Sequence, residues 1–307
     1  ALELANGTAY GLVAGLHSLD ERQQARFIER AAAGNLYLNR PITGAIVNRQ
    51  PFGGHKASSV GPGAKAGGPN YVAQLAQLAD AAPPGPARVV PASLVPRELG
   101  ALDDWVRREL GENELERFRA VLSDYIESLR DDFRRDHPAP EVLGQDNVFR
   151  YLPCSALLLW VPESSRAFDL ACASGAALAS GNALQFSATH SGMARAEATH
   201  VRWVRELGEI CRCPAPDEST EQLAARLADV ERVRWLGSSP EEPAEIVLRA
   251  AARIGAHVSL RPVLAHGRYE LLFNHREQAI SIDYHRYGHL GWRSVGMDSS
   301  PALRQRR

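Results

Sequence analysis

Apolar and polar positions change their period several times along the chain. Leu115, Phe118, Leu122, Tyr125, Leu129 and Phe133 step by three and four, which predicts an amphipathic helix of several turns, ended by Pro138 and Pro140. Residues 156–161 are apolar throughout, the mark of a strand buried on both faces. A helix through 168–178 is expected to end at Gly181, followed by a strand over 183–188. Further helices fit 195–208, 219–229 and 241–254, with strands at 233–236 and 256–260. Helices alternating with strands in this way predict βαβ units and a mostly parallel sheet, an α/β fold.

The first eighty residues read differently. Ala1, Leu2, Leu4 and Ala5 resemble the inside of a helix that ends near Asn6-Gly7. A strand is expected over 12–17. Asp20 then offers a helix N-cap, Ala25, Ile28 and Ala32 form an apolar stripe, and Gly34 closes the helix. A short strand at 36–38 precedes the stretch 41–70, where Gly44, Gly53, Gly54, Gly61, Gly63, Gly67 and Gly68 alternate with prolines and predict loop. Weak alternation over 71–78 predicts a last strand. Residues 81–97, beginning Ala-Ala-Pro-Pro-Gly-Pro, read as a stiff Pro-rich linker. They divide the chain into domains at 1–80 and 98–307. A domain rarely starts inside an element, so the chain is expected to be the C-terminal piece of a longer protein. A processed N-terminus is the alternative.

Composition narrows the classes. The 307 residues are 45% hydrophobic and 23% charged, so a buried core is expected and wholesale disorder is not. Lys plus Arg number 35 against 36 Asp plus Glu, a net charge of −1, which argues against nucleic acid and membrane-surface partners. No apolar run reaches the roughly 18 residues of a transmembrane helix, and no signal-peptide pattern opens the chain. With only four cysteines, a reducing, cytoplasmic setting is expected.

The segment Asn-Arg-Pro-Ile-Thr-Gly-Ala-Ile-Val-Asn-Arg-Gln-Pro-Phe-Gly-Gly at 39–54 resembles the C-terminal end of the aldehyde dehydrogenase catalytic domain. Ser58 to Tyr71, with Gly-Pro-Gly-Ala-Lys-Ala-Gly-Gly-Pro-Asn-Tyr, narrows the resemblance to the Δ1-pyrroline-5-carboxylate (L-glutamate γ-semialdehyde) dehydrogenases. These include the dehydrogenase part of the bifunctional proline-utilisation enzymes. More weakly, Asp146 to Tyr151, Arg276 to Ser281 and His285 to Gly288 resemble the C-terminal, diverged aldehyde-dehydrogenase-like domain of the longer members. The resemblance implies that 1–80 is the end of a catalytic domain and that 98–307 is a non-catalytic covering domain.

It further implies oxidation of the semialdehyde to L-glutamate with NAD, in proline catabolism. The nucleophilic Cys, the general-base Glu and the NAD-binding half would precede Ala1, so no catalytic residue is expected here. FAD would serve an upstream proline dehydrogenase domain. Partners implied are the semialdehyde, the upstream catalytic domain and other copies in a homo-oligomer. What remains is recognition. Gly44 and Ala45 match the family's loop whose amides anchor the substrate carboxylate; read alone, they are an ordinary turn. Phe52 matches the aromatic wall beside the aldehyde, with core packing as its alternative. Gly53 and Gly54 are expected to serve backbone geometry and His55 to be surface variation.

Other features carry less. The Gly-rich stretch 61–68 lacks the ending of a phosphate loop, so Lys56 and Lys65 are expected to be solvated. Cys154, Cys172 and the pair Cys211 and Cys213 are expected to be inert, the C-x-C having no second ligand pair for zinc. His285 and His289 are four apart, but Gly288 and Gly291 argue against a helical metal site. The segment Arg276 to Gly288, which resembles the family's tail, is instead expected to dock the C-terminal domain onto the catalytic domain, with packing within its own domain as the alternative. Glu141 and Asp146 are expected to be solvated. Two other functions remain open. One is a non-catalytic interaction or lid module. The other, weakened by the lack of Gly-x-Gly-x-x-Gly after any expected strand, is nucleotide binding by 98–307.

Overall fold

An all-apolar strand needs cover on both faces, and the run at 156–161 receives it. In the computed structural model, which describes residues 1–59, 61–81, 85, 96–140, 142–189, 198–227, 230–238 and 242–284, that run is the central strand of a five-stranded parallel sheet. In chain order the elements before it are α1 (Leu2–Asn6), β1 (Tyr10–Gly11), β2 (Val13–Leu16), α2 (Glu21–Arg30), β3 (Asn35–Leu38) and β4 (His55–Lys56). Next come α3 (Glu98–Leu110), α4 (Glu112–Ser128), β5 (His137–Pro138) and β6 (Gln145–Pro153). The remainder are β7 (Ala156–Val161), α5 (Ala167–Ser180), β8 (Ala183–Thr189), α6 (Thr199–Cys211), β9 (Asp217–Glu218), α7 (Thr220–Arg226), β10 (Arg232–Trp235), α8 (Glu245–Ile254), β11 (His257–Ser259), α9 (Gly267–Glu270) and β12 (His275–Asp283).

The chain folds into two compact units. The larger comprises residues 77–134 and 153–275 and holds the parallel sheet in the order β11-β10-β7-β8-β9. One face of it is apolar: Leu158, Trp160, Val233 and Trp235 pack with Leu223, Val247 and Ala251 from α7 and α8. Helix α5 is buried almost throughout, which its alanines permit; Gly175 brings α4 close enough that a Cβ there would lie 3.3 Å from Leu122. Gly181 ends α5 in the left-handed region at φ 74°, as its sequence predicts.

The smaller unit contains residues 1–76 and 135–152 together with the segment that begins at Arg276. Its five-stranded sheet runs β2-β3-β12-β6-β5, with β2, β3 and β12 mutually parallel. The compact units therefore are not the sequence segments 1–80 and 98–307. Three strands from beyond the Pro-rich stretch, β5, β6 and β12, complete the sheet that β2 and β3 begin. Of the 81–97 linker, residues 82–84 and 86–95 lie outside the described residues.

Local departures have local causes. The expected strand at 71–78 is a short 3-10 turn, Val72–Leu75, whose Val72 and Leu75 side chains are exposed and have no sheet face to join. Asp20 caps α2 by accepting from the Arg22 amide, but the helix ends at Ala31, which turns to extended backbone, and not at Gly34. The expected helix starts as α4 directly after Gly111, where φ is 87°, with α3 as a separate helix before it, and its last turn, Leu129–Phe133, widens to π geometry before Pro138.

Candidate functional site

The smaller unit's candidate site hangs from one short strand. In β3, Leu36 and Leu38 face the apolar cluster of Phe27, Ile28, Ile280 and Ile282. Strand alternation turns Asn35 and Tyr37 to the opposite face. There the Asn35 amide donates to the Pro51 carbonyl at 2.9 Å and accepts from the Gly53 N–H at 3.2 Å. Two residues along, the Tyr37 hydroxyl donates to the Gly44 carbonyl at 2.8 Å. One face of one strand thus ties down both predicted recognition elements, the 44–45 turn and the Phe52 loop.

Residues 41–48 are exposed. Gly44 has φ 90°, a conformation that L side chains rarely adopt, although a Cβ would meet nothing within 4 Å. Because its carbonyl is held by Tyr37, the Ala45 N–H of the same trans peptide points the opposite way. Neither the Gly44 nor the Ala45 amide has an acceptor among the described residues. Burial raises the Tyr37 phenol above its ordinary value, so the hydroxyl remains a donor at neutral pH.

Phe52 is half-buried and bridges Ala66 through a pair of main-chain bonds of 3.0 and 2.9 Å. The hairpin 52–66 lies directly on β3: a Cβ on Gly34 would come within 1.9 Å of the Gly53 carbonyl oxygen. Gly53 and Gly54 serve backbone geometry, since a Cβ on Gly54 would collide with Ser58 at 2.4 Å.

Two surface expectations are corrected. Lys65 has no exposed area; its ammonium bonds the Gly53 carbonyl and the Asn35 side chain, at 3.1 Å for the latter. Burial pushes it down to about 7, with the carboxylate of Glu277 opposing the shift. His55 is likewise buried, its Nε2 lying 2.9 Å from the Glu277 carbonyl oxygen. Lys56 is exposed as expected and bonds the Asn6 and Thr8 carbonyls. The segment beginning Arg276 is not a contact between separate domains but a strand of the same sheet, Ala279–Ile282 pairing in parallel with Asn35–Leu38. Its His285, Tyr287, Gly288 and His289, like Glu141, lie outside the described residues.

Sequence reasoning missed the polar network under this site. Gln50 is buried and donates to Gln145, Asn147 and Ser281, while Ser281 also accepts from Arg40 at 2.6 Å. On the other face of β12, Gln278 accepts from Arg150, which also reaches the Ile28 carbonyl. The available signal was the polar run Arg-Glu-Gln entering an alternating strand, which reads as surface until its burial is seen.

The larger unit presents the topology of a nucleotide fold. Its strand order reverses between β7 and β10, where such sheets hold a dinucleotide. The residues there do not fit NAD. The helix after β7 has Arg166 at its N-cap and Asp169 in its first turn, a negative charge that disfavours an anion such as a pyrophosphate at that end. Arg117 is engaged over the Phe168 ring at 4.7 Å. The loops after β7 and β10 are tied to each other: the Ser238 amide donates to Ser164 Oγ at 2.9 Å and its hydroxyl to the Ser164 carbonyl at 2.7 Å.

The cysteines are free. Cys154 and Cys172 are buried, and burial raises the Cys172 thiol well above its ordinary value. Among the described residues, no group of three His, Cys, Asp or Glu side chains is placed to hold a metal ion. Nor is any described helix long and apolar enough to cross a membrane.

Residues 1–79 match the model of the aldehyde dehydrogenase family. Over 299 residues, 92% of the chain, it is 30% identical to the bifunctional protein PutA of Klebsiella aerogenes, of which it spans 20%. Over 72 residues, 24% of the chain, it is 49% identical to 1-pyrroline-5-carboxylate dehydrogenase of a Geobacillus species, of which it spans 14%. The solved structure of proline utilization A from Corynebacterium freiburgense superposes with a TM-score of 0.65 at 33% identity, covering 94% of this chain and 24% of that one. The chain thus spans about a quarter or less of each relative's length.

Proposed function

We propose that the chain, whose residues 1–79 match the aldehyde dehydrogenase family, is part of an NAD-dependent L-glutamate γ-semialdehyde dehydrogenase acting in proline catabolism. Its share of the work is recognition. The amides of Gly44 and Ala45 receive the substrate's α-carboxylate, and Phe52 forms an apolar wall beside the aldehyde. The observation that carries this reading is the turn itself: Tyr37 holds one side of the Gly44–Ala45 peptide and leaves its N–H turned away, with no acceptor among the described residues. A carboxylate is the acceptor such amides bind best, and a charge-assisted bond there is shorter and stronger than a neutral one.

On this reading NAD takes up the hydride in a part of the protein outside these residues, where the nucleophilic thiolate and the base also lie. FAD would belong to a proline dehydrogenase part of a bifunctional protein. The chain would also supply lid and oligomerisation elements, in a homo-oligomer working in the cytoplasm.

The test is discrimination between substrates by the intact enzyme. Ala45→Glu sets a carboxylate against the substrate's own. It is expected to lower kcat/KM for the semialdehyde at least about tenfold more than for a simple aldehyde lacking the α-carboxylate. Equal losses on both would overturn the anchoring role.

A further inference from the structure

Glu277 is a buried carboxylate that bonds the hairpin carrying Phe52 and Asn70 just beyond it. Its Oε2 accepts from the Lys65 amide at 2.7 Å, and its Oε1 accepts from the Asn70 side chain at 2.8 Å. Its main-chain oxygen lies 2.9 Å from His55 Nε2, and its charge favours the buried Lys65 ammonium. Lys65 adjoins Ala66, the partner of Phe52, and its own ammonium bonds the Gly53 carbonyl on the far side of Phe52. One carboxylate therefore holds both arms of the hairpin, one directly and the other through Lys65.

The strand it sits on fixes where that hold is applied. Residues 277 and 281 share a face of β12, and Ser281 binds Arg40 and Gln50 at the two ends of the turn that contains Gly44 and Ala45. Strand β12 is in turn hydrogen-bonded alongside β3, which ties down the same two loops through Asn35 and Tyr37. The spacing between turn and aromatic wall is thus set twice, from β3 and from β12.

We infer that Glu277 is a positioning residue for substrate recognition: it sets Phe52 against the 44–45 turn without touching substrate. The inference rests on the proposed function for the role of Phe52, but the hold on the hairpin stands apart from it. Glutamine is not a conservative replacement. Its NH2 would face either the Lys65 N–H or the Asn70 amide, donor against donor, whereas aspartate keeps both acceptors on a shorter arm.

The experiment uses the intact enzyme with 4-fluorophenylalanine at position 52, read by fluorine NMR and by kinetics. For Glu277→Gln the expected result is a shifted or broadened fluorine resonance and a KM for the semialdehyde raised about tenfold, with a smaller change in kcat. Glu277→Asp is expected to restore much of both. Asn70→Ala, which removes one arm only, is expected to move the resonance in the same direction by less, and remains informative if Glu277→Gln fails to fold. An unmoved resonance in both Glu277→Gln and Asn70→Ala would overturn the inference. If instead the resonance moves while Phe52→Ala leaves kcat/KM unchanged, the reading of Phe52 fails and the hold on the hairpin survives.

Discussion

Gly34 and Gly53 are in backbone contact: a Cβ on Gly34 would come within 1.9 Å of the Gly53 carbonyl oxygen and 2.8 Å of the Gly54 Cα. The obstacle is main chain, which cannot swing aside as a flexible side chain would. Gly34→Ala is therefore expected to push the Phe52 hairpin off β3. The expected cost is about 1–3 kcal/mol or more of stability, with a fall in kcat/KM for the semialdehyde in the intact enzyme. Urea midpoints and steady-state kinetics check it; an unchanged midpoint would show that the hairpin yields freely.

Lys65 predicts a pH dependence. Burial lowers its ammonium from 10.5 to about 7 in the folded protein, with Glu277 opposing the shift. Between those values the unfolded chain holds a proton that the folded chain has released, so this contribution to stability rises with pH from about 7 to 10.5. Below 7 the folded state bears the full cost of a buried charge. Lys65→Met removes the titrating group. The stability of the native protein relative to this variant is expected to be greater at pH 9.5 than at pH 6, measured by denaturant titration at both. A difference that stays constant refutes the assignment.

The larger unit holds one ion pair deep in its core. Arg234 and Glu270 are each 3% exposed, and one guanidinium nitrogen lies 2.9 and 2.8 Å from the two carboxylate oxygens. Glu270 also accepts from the Leu264 amide, and Arg234 reaches the Pro262 carbonyl and lies over the Phe273 ring. Burial raises the Glu270 carboxyl, and Arg234 is the largest influence opposing it. Arg234→Leu leaves that carboxylate buried and unmatched, and is expected to cost about 3–5 kcal/mol. Adding Glu270→Leu is expected to recover part of the loss. Thermal unfolding of both variants decides it, a double variant no more stable than the single one being the contrary result.

The periodicity was a sound guide wherever burial and apolarity coincide. The all-apolar run at 156–161 is the central strand of a parallel sheet, and the alternation after it is βαβ as read. It misled where polar groups are buried. His55 and Lys65 read as surface because their side chains are polar; both lie inside, satisfied by Glu277, Asn35 and Gly53. The strand β12 escaped notice for the same reason, with Glu277, Gln278 and Ser281 all buried.

Sequence alone marked the segment proposed for recognition. The motif from Asn39 to Gly54 carries the family resemblance, and Gly44 and Gly54 stand where a positive φ or a close contact with Ser58 disfavours anything larger. Those are local demands, met within a few residues. Tertiary structure decided which strands complete the first sheet and which carboxylate stands beneath Phe52. The pairing of β3 with β12 joins residues more than 240 positions apart. A strand's periodicity states that it has a buried face, and only the folded chain selects the partner that buries it.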